Sequence, residues 1–394
     1  MTRRSDPVTT MLAERTGTDP ADWFLVYKAR YGLQVAFRAL AEVRGTGDVV
    51  TQVFTCCTAV DPILSAGLHP VYAEVSPDSV ALDPDRLVLG EGTRAVVVQH
   101  TFGIVDDARA ARLREKAVAA GAVLVEDSAH CVGTLARGAD GAPLADVSVH
   151  SFGVEKMLPT RFGGAVWVNP SMRDEAVRRR LVTDLGSLPV VGRRQDLVAR
   201  LYRNQVRVLN RLPRAVSAPA RDALAAAGAF DPPIAPVERR GGLAARPGAP
   251  SAWMVGQIAG HLPSLGDVEE RRAEVVAEYV RALRGVVEIP AGVGEGRPLV
   301  RFPFFAPDGG TAERVIAAVS AAGSYPGRWY RPALFPGVED PAVYGYAPGD
   351  GALSTTEDLI DRVVNLPTGV EVAEARRIAD VVRATIGSAG SSRT

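Results

Sequence analysis

Apolar positions along the chain follow two spacings in turn. Over 27–43, Ala29, Leu33, Ala36, Phe37 and Leu40 recur every three or four residues, which predicts an amphipathic helix. Short β-branched runs at 48–54, 68–75 and 94–99 predict strands instead. A helix is predicted over 107–121, followed by strands over 122–126, 146–152 and 163–169. Strands alternating with helices in this way argue for a mainly parallel sheet covered on both faces.

Beyond Asn169 the helical spacing returns over 173–185 and 195–212. The stretch 213–250 is rich in Ala, Pro and Gly and reads as a long loop with helical pieces, a length usually functional or mobile. An amphipathic helix over 268–283 turns Glu269, Glu270, Arg271 and Arg272 outward; a strand at 299–305 and helices at 311–322 and 372–386 follow. The expected organisation is a loose N-terminal arm (1–22), a large domain (23–265), a smaller C-terminal domain (266–386) and a polar, disordered tail (387–394). No internal repeat is visible, and Gly292-Val293-Gly294-Glu295-Gly296 lacks a dinucleotide-binding spacing.

Composition narrows the function classes. Lys+Arg and Asp+Glu are both 45 in 394 residues, so no net field draws the chain to nucleic acid or an anionic membrane. No apolar run is long enough to span a bilayer, and the first residues lack the apolar core of a signal peptide. Three cysteines, with Cys56 and Cys57 adjacent, make neither a disulfide framework nor a zinc site, and a reducing cytoplasm is expected. His69, His150 and His261 show no metal spacing, so no metal is expected.

The candidate chemistry sits in 123–169. Asp127 ends one strand, and Lys156 stands 29 positions on, just after the next. A lysine that can form a Schiff base and an acid that can keep a pyridine nitrogen protonated are what pyridoxal phosphate requires. Alone, each also reads as a turn-capping acid or a solvated loop lysine. The surrounding residues decide between these readings. Glu126-Asp127-Ser128-Ala129-His130 resembles the E-D-[AS]-A-[QH] element of the DegT/StrS-type aminotransferases, and Ser151-Phe152-Gly153-Val154-Glu155-Lys156 with Gly163-Gly164-Ala165 resembles their S-F-x-x-x-K…G-G-A element. His100-Thr101-Phe102-Gly103 is similar to their V-H-x-[FY]-G turn, and 362–368 to their closing R-x-x-x-L-P-T segment.

The resemblance covers 27–169 well and the C-terminal third weakly. It implies an α/β, aspartate-aminotransferase-like fold (fold type I): a mainly parallel, seven-stranded-type sheet in the large domain, and a smaller α+β C-terminal domain. It also implies pyridoxal 5'-phosphate, active sites at a homodimer interface, a small-molecule substrate and an amino donor. Lys156 becomes the Schiff-base lysine and proton shuttle, Asp127 the partner of the pyridinium nitrogen, and His130 the residue facing the phenolic oxygen. Ser151 and the Ala29 and Arg30 amides would hold the phosphate. Three departures stand out. Ala29 and Arg30 replace the usual Gly and Thr of the phosphate loop, and Arg30 offers charge in place of the lost hydroxyl. Cys56 occupies the place of an aromatic over the cofactor ring, where it reads equally as a small buried apolar residue. Pro250-Ser251-Ala252-Trp253 stands where the family has N-x-R, an element that binds the phosphate across the subunit interface. The turn Trp329-Tyr330-Arg331-Pro332 reads either as a packed loop or as an aromatic arm into the site. The expected activity is amino transfer to a keto-sugar or related small ketone in a biosynthetic pathway. A PLP enzyme of another reaction class, elimination or C–C bond chemistry, is the alternative.

Overall fold

The computed structural model describes residues 6–391. The N-terminal stretch is not the loose arm expected. Helix α1 (Pro7–Thr16) opens with the Asp6 carboxylate accepting the Val8 N–H and with Pro7 at the first helical position, and it ends on left-handed Gly17. Its Val8 and Leu12 are fully buried against Trp23, Leu158 and Ile258, so packing holds what composition alone reads as an arm.

Strand β1 (Trp23–Val26) and helix α2 (Ala29–Arg44) follow, then β2 (Asp48–Thr51), α3 (Cys57–Ser65), β3 (His69–Tyr72), β4 (Thr93–Gln99), α4 (Asp107–Ala119), β5 (Val123–Ser128), β6 (Val147–Ser151) and β7 (Gly164–Val168). The seven strands form one sheet in the order β1-β7-β6-β5-β4-β2-β3. All pairs among β2 to β6 are parallel, whereas β7 runs antiparallel to both β6 and β1. The strand period of two sorts the core: Ala95, Val97, Val123 and Val125 face the cluster built with α2, α3 and α5 (Glu175–Gly186), while Val96, Val98 and Leu124 face α4.

Helices α6 (Arg193–Leu209) and α7 (Arg214–Ala226) extend from this body. The stretch read as a long loop with helical pieces holds α7 and a short 3-10 turn at Pro236–Arg239, with irregular chain around that turn up to 250. After α8 (Ala252–His261), the helices α9 (Leu265–Leu283), α10 (Gly309–Ala321) and α12 (Val372–Ser391) pack on an antiparallel pair, β8 (Arg301–Phe305) and β9 (Val363–Pro367), around a second apolar core. Helix α11 (Ser354–Arg362) precedes β9. The C-terminal half does not keep to itself: Tyr330, Leu334, Tyr344, Leu353 and Leu359 join the large core with Phe54 and Phe102. The tail expected to be disordered from 387 is helical through Ser391, and 392–394 lie outside the described residues. Among the described residues, no helix is long and apolar enough to cross a membrane.

Candidate active site

Parallel strands end together, and the chain places its polar groups there. Thr55 and Cys56 follow β2, Gln99 and His100 close β4, Asp127 lies near the end of β5 and Ser151 at the end of β6. These ends open on a cavity of about 340 Å³, within the roughly 300–1,000 Å³ usual for cofactor and small-molecule sites. All seven residues singled out from the sequence line it: Ala29, Arg30, Cys56, Asp127, His130, Ser151 and Lys156.

Lys156 sits in the loop joining β6 to β7, which the Thr160 hydroxyl closes by donating to the Phe152 carbonyl at 2.7 Å. Two non-glycine residues of this loop hold left-handed backbone, Glu155 (φ 58°) and Arg161 (φ 74°). The lysine Nζ lies 4.9 Å from the centre of the Trp329 ring. Burial lowers its pKa, against the opposing pull of Asp127 and Cys56, and this favours the neutral amine. Asp127 is buried and accepts the Ala129 N–H at 3.0 Å. Burial raises its pKa, with Ala129 and Lys156 working the other way.

His130 is buried in an aromatic stack. Its ring lies 4.8 Å from Trp329, nearly parallel, and its Nδ1 accepts the Phe102 N–H at 2.9 Å. That bond assigns the ring proton to Nε2, which stands 3.2 Å from the Tyr330 hydroxyl. Burial holds the imidazole well below its usual pKa, and it is therefore neutral. The turn 329–332 thus reaches the site as an aromatic arm.

The start of α2 forms the opposite wall. A side chain at Gly164 would meet the Ala29 nitrogen at 2.7 Å, so only glycine lets β7 approach this helix end. No side chain caps α2, and its first turn carries no acid. Its side chains are engaged from elsewhere. Lys28 Nζ donates to Asp231 at 2.6 Å, Arg30 pairs with fully buried Glu238, and Arg30 also donates to the Pro233 carbonyl at 2.6 Å. The free charge expected of Arg30 is therefore already committed. Ser151 Oγ accepts the Gly153 N–H at 3.2 Å.

Cys56 borders the cavity as the residue before α3, half-buried beside Phe335. The Cys57 thiol and the Thr58 hydroxyl, which lies 3.0 Å from the sulfur, donate to it, and Arg30 adds a positive field. Together these outweigh burial and lower its pKa to about 6, while Cys57 is pushed up.

Sequence reasoning did not single out Lys28, Asp231, Glu238 or Gln99. One signal pointed to the first: Lys28, Lys116 and Lys156 are the only lysines beside 42 arginines, and two of the three line this cavity. The acids lie about 200 residues from their partners and carry no local signature.

The DegT/DnrJ/EryC1/StrS aminotransferase family model matches residues 26–203. Over 176 residues the chain is 31% identical to the GDP-perosamine synthase of Vibrio cholerae, covering 43% of this chain and 46% of that protein. Over 124 residues it is 32% identical to the L-glutamine:2-deoxy-scyllo-inosose aminotransferase of Streptomyces kanamyceticus, covering 31% and 29%. The matches thus span less than half the length of these curated relatives. In structure the likeness runs end to end: the aminotransferase TlmJ from Streptoalloteichus hindustanus superposes with a TM-score of 0.69 at 21% identity, over 98% of this chain and 92% of that one. The mainly parallel seven-stranded sheet agrees with these likenesses, and it is residues 26–203 that match the DegT/DnrJ/EryC1/StrS aminotransferase family.

Proposed function

We propose that the protein is a pyridoxal 5'-phosphate-dependent aminotransferase that moves an amino group onto a keto-sugar or a related cyclic ketone. The observation that carries this reading is that Lys156 and buried Asp127, from two adjacent strand ends, face one cavity. The donor set fits the cofactor. Asp127 supplies a carboxylate in a dry setting for a pyridinium nitrogen, neutral His130 supplies an Nε2–H for a phenolic oxygen, and Ser151 with the uncapped start of α2 supplies donors for a phosphate. Lys28, the residue before α2, stands next to those donors and is ion-paired with Asp231.

Bound there, the cofactor supplies an electron sink for the carbon that bears the migrating amine. The chain does the rest. Lys156 Nζ, whose pKa burial lowers, would take a proton and return it one position away; Asp127 would hold a proton on the ring nitrogen; Trp329, Tyr330 and Phe335 would shield the site from water. The acceptor class is supported by the names of the relatives, a GDP-perosamine synthase and an L-glutamine:2-deoxy-scyllo-inosose aminotransferase.

Assembly as a homodimer is supported by exposed apolar side chains on α6 and α7, among them Leu197, Leu201, Val208 and Val216. A cytoplasmic setting is supported by three unpaired cysteines. The test is a half-reaction: glutamate or glutamine added to the purified, cofactor-loaded protein converts the aldehyde form of the cofactor to pyridoxamine phosphate, read by absorbance and chromatography. No conversion with any amino donor, in a protein that retains its cofactor on Lys156, rules out transamination.

A further inference from the structure

Behind the lysine loop lies a second cavity, of about 370 Å³, between the loop, the first turns of α9 and the chain that follows β9. Glu155, Lys156 and Arg161 line both cavities, so the loop is a wall shared by two chambers. The second chamber gathers cations. Arg161, Arg271 and Arg272 all line it, and among the described residues none of the three has an acid within ion-pair distance. Arg301 and Arg376, by contrast, are held by Glu155 and Glu278.

Arg272 donates from Nη1 to the Val300 carbonyl at 3.0 Å and to the Thr368 hydroxyl at 2.6 Å, while its Nε is buried without a partner. A buried donor without a partner is destabilising, the more so when charged, so it marks a place where a partner is missing. Burial, aided by nearby Arg301, lowers the Arg272 pKa to about 10, as expected of a cation without an acid. Arg161 carries a separate signature. Its φ of 74° lies in the region that favours glycine, so a bulky side chain is kept there at a cost in backbone energy. The acids nearby do not cancel this charge: Glu155 is drawn to Arg301 at 3.5 Å, and Glu371 is exposed at the rim.

We propose that this second chamber is a binding site for an oxyanion of the phosphate type, held by Arg161 and Arg271 and backed by Arg272 and Thr368. Guanidinium groups match the geometry of phosphate oxygens and are the usual choice for such groups. Because Arg161 belongs to the loop that carries Lys156, an anion seated there also fixes the lysine loop. The binding itself does not depend on the reaction proposed above.

The experiment uses the full-length protein saturated with pyridoxal phosphate, so that the first cavity is closed to a small anion. Pyrophosphate is titrated by calorimetry into the parent, R161G and R271Q. The parent is expected to bind, R161G to lose at least tenfold in affinity and R271Q several-fold. R161G also relieves the backbone, and its melting temperature should equal or exceed that of the parent, which separates lost binding from lost folding. Pyrophosphate that raises the KM for the keto acceptor would identify the anion as part of the acceptor. A change in kcat at constant KM would identify a separate effector; either result supports the site. No pyrophosphate binding to the parent, or equal binding by all three proteins, overturns it.

Discussion

The unit 123–169 and the segment 228–245 meet at the same cavity, yet they are built in opposite ways. The first consists of short, fully buried strands whose ends carry the chemistry. The second is irregular chain that reaches the site with two carboxylates, Asp231 on Lys28 and Glu238 on Arg30. In the first region position follows from backbone pairing, so the residues can be read from spacing. In the second, position follows from long-range charge pairing, which no local pattern announces. A site can therefore have one wall written in the sequence and another that only the folded chain reveals.

The sharpest test of this comparison is Lys156→Ala. Borohydride reduction followed by peptide mapping is expected to label Lys156 in the parent, and in the variant neither Lys28 nor Lys116. Amino transfer should disappear while the melting temperature stays within a few degrees. A label on Lys28 would move the chemistry to the wall built by the second region.

Next in size is Asp127→Asn. Without the carboxylate the ring nitrogen loses its proton, and the half-reaction should slow by at least 100-fold, about 2.7 kcal/mol of barrier, with cofactor still bound. Stopped-flow rates within tenfold of the parent would show that the β5 acid is structural.

Glu238→Gln addresses the second region. It leaves the Arg30 guanidinium buried without its counter-charge, and breaking a buried pair in this way costs about 3–5 kcal/mol. The expected result is a clear drop in the denaturation midpoint. Asp231→Asn removes the partner that holds Lys28 protonated against burial, and should weaken cofactor binding a few-fold in an absorbance titration. If both variants match the parent in stability and affinity, the segment is a passive cover.

The smallest effect concerns Cys56. With its thiol pKa lowered from 9.0 to about 6, the thiolate predominates above that value and is lost below it. Iodoacetamide labelling should therefore rise between about pH 5 and 7, whereas buried Cys57 and Cys131 stay unlabelled. Labelling that rises only near pH 9 would remove the hydrogen-bonded thiolate. Cys56→Phe then separates its two sequence readings: tighter cofactor binding places it over the ring, and a lowered melting temperature places it in packing.

Most of the sheet was legible because β-branched runs and helical spacing report burial directly. What was missed has physical causes. Asp6-Pro7 is a helix-start signature, but the Thr-rich stretch after it has low intrinsic helix preference, and packing against Trp23 and Ile258 supplies the difference. Helix α3 contains Pro62, which breaks the helical pattern on paper and is tolerated in the structure near a short helix's middle. The antiparallel run of β1 and β7 depends on how strands are connected, and hydrophobic period does not encode direction. Within the site, Lys156, Asp127 and Ser151 were legible from motif. The place of Trp329 against His130, some 200 residues away, was not, since two readings of that turn fit the sequence equally.

The aromatic arm has a mechanical consequence. Tyr330 and Leu334 are packed into the same core as Phe54 and Phe102, and the Tyr344 hydroxyl ties Asp61 to the Glu238 carbonyl at 2.7 and 2.9 Å. A hinged lid opens cheaply because it leaves few buried side chains behind. This cover is rooted too deeply for that: swinging the C-terminal half away would strip apolar rings out of the interior. Access to the cavity is then expected to depend on the side chains that line it, and not on the travel of a domain.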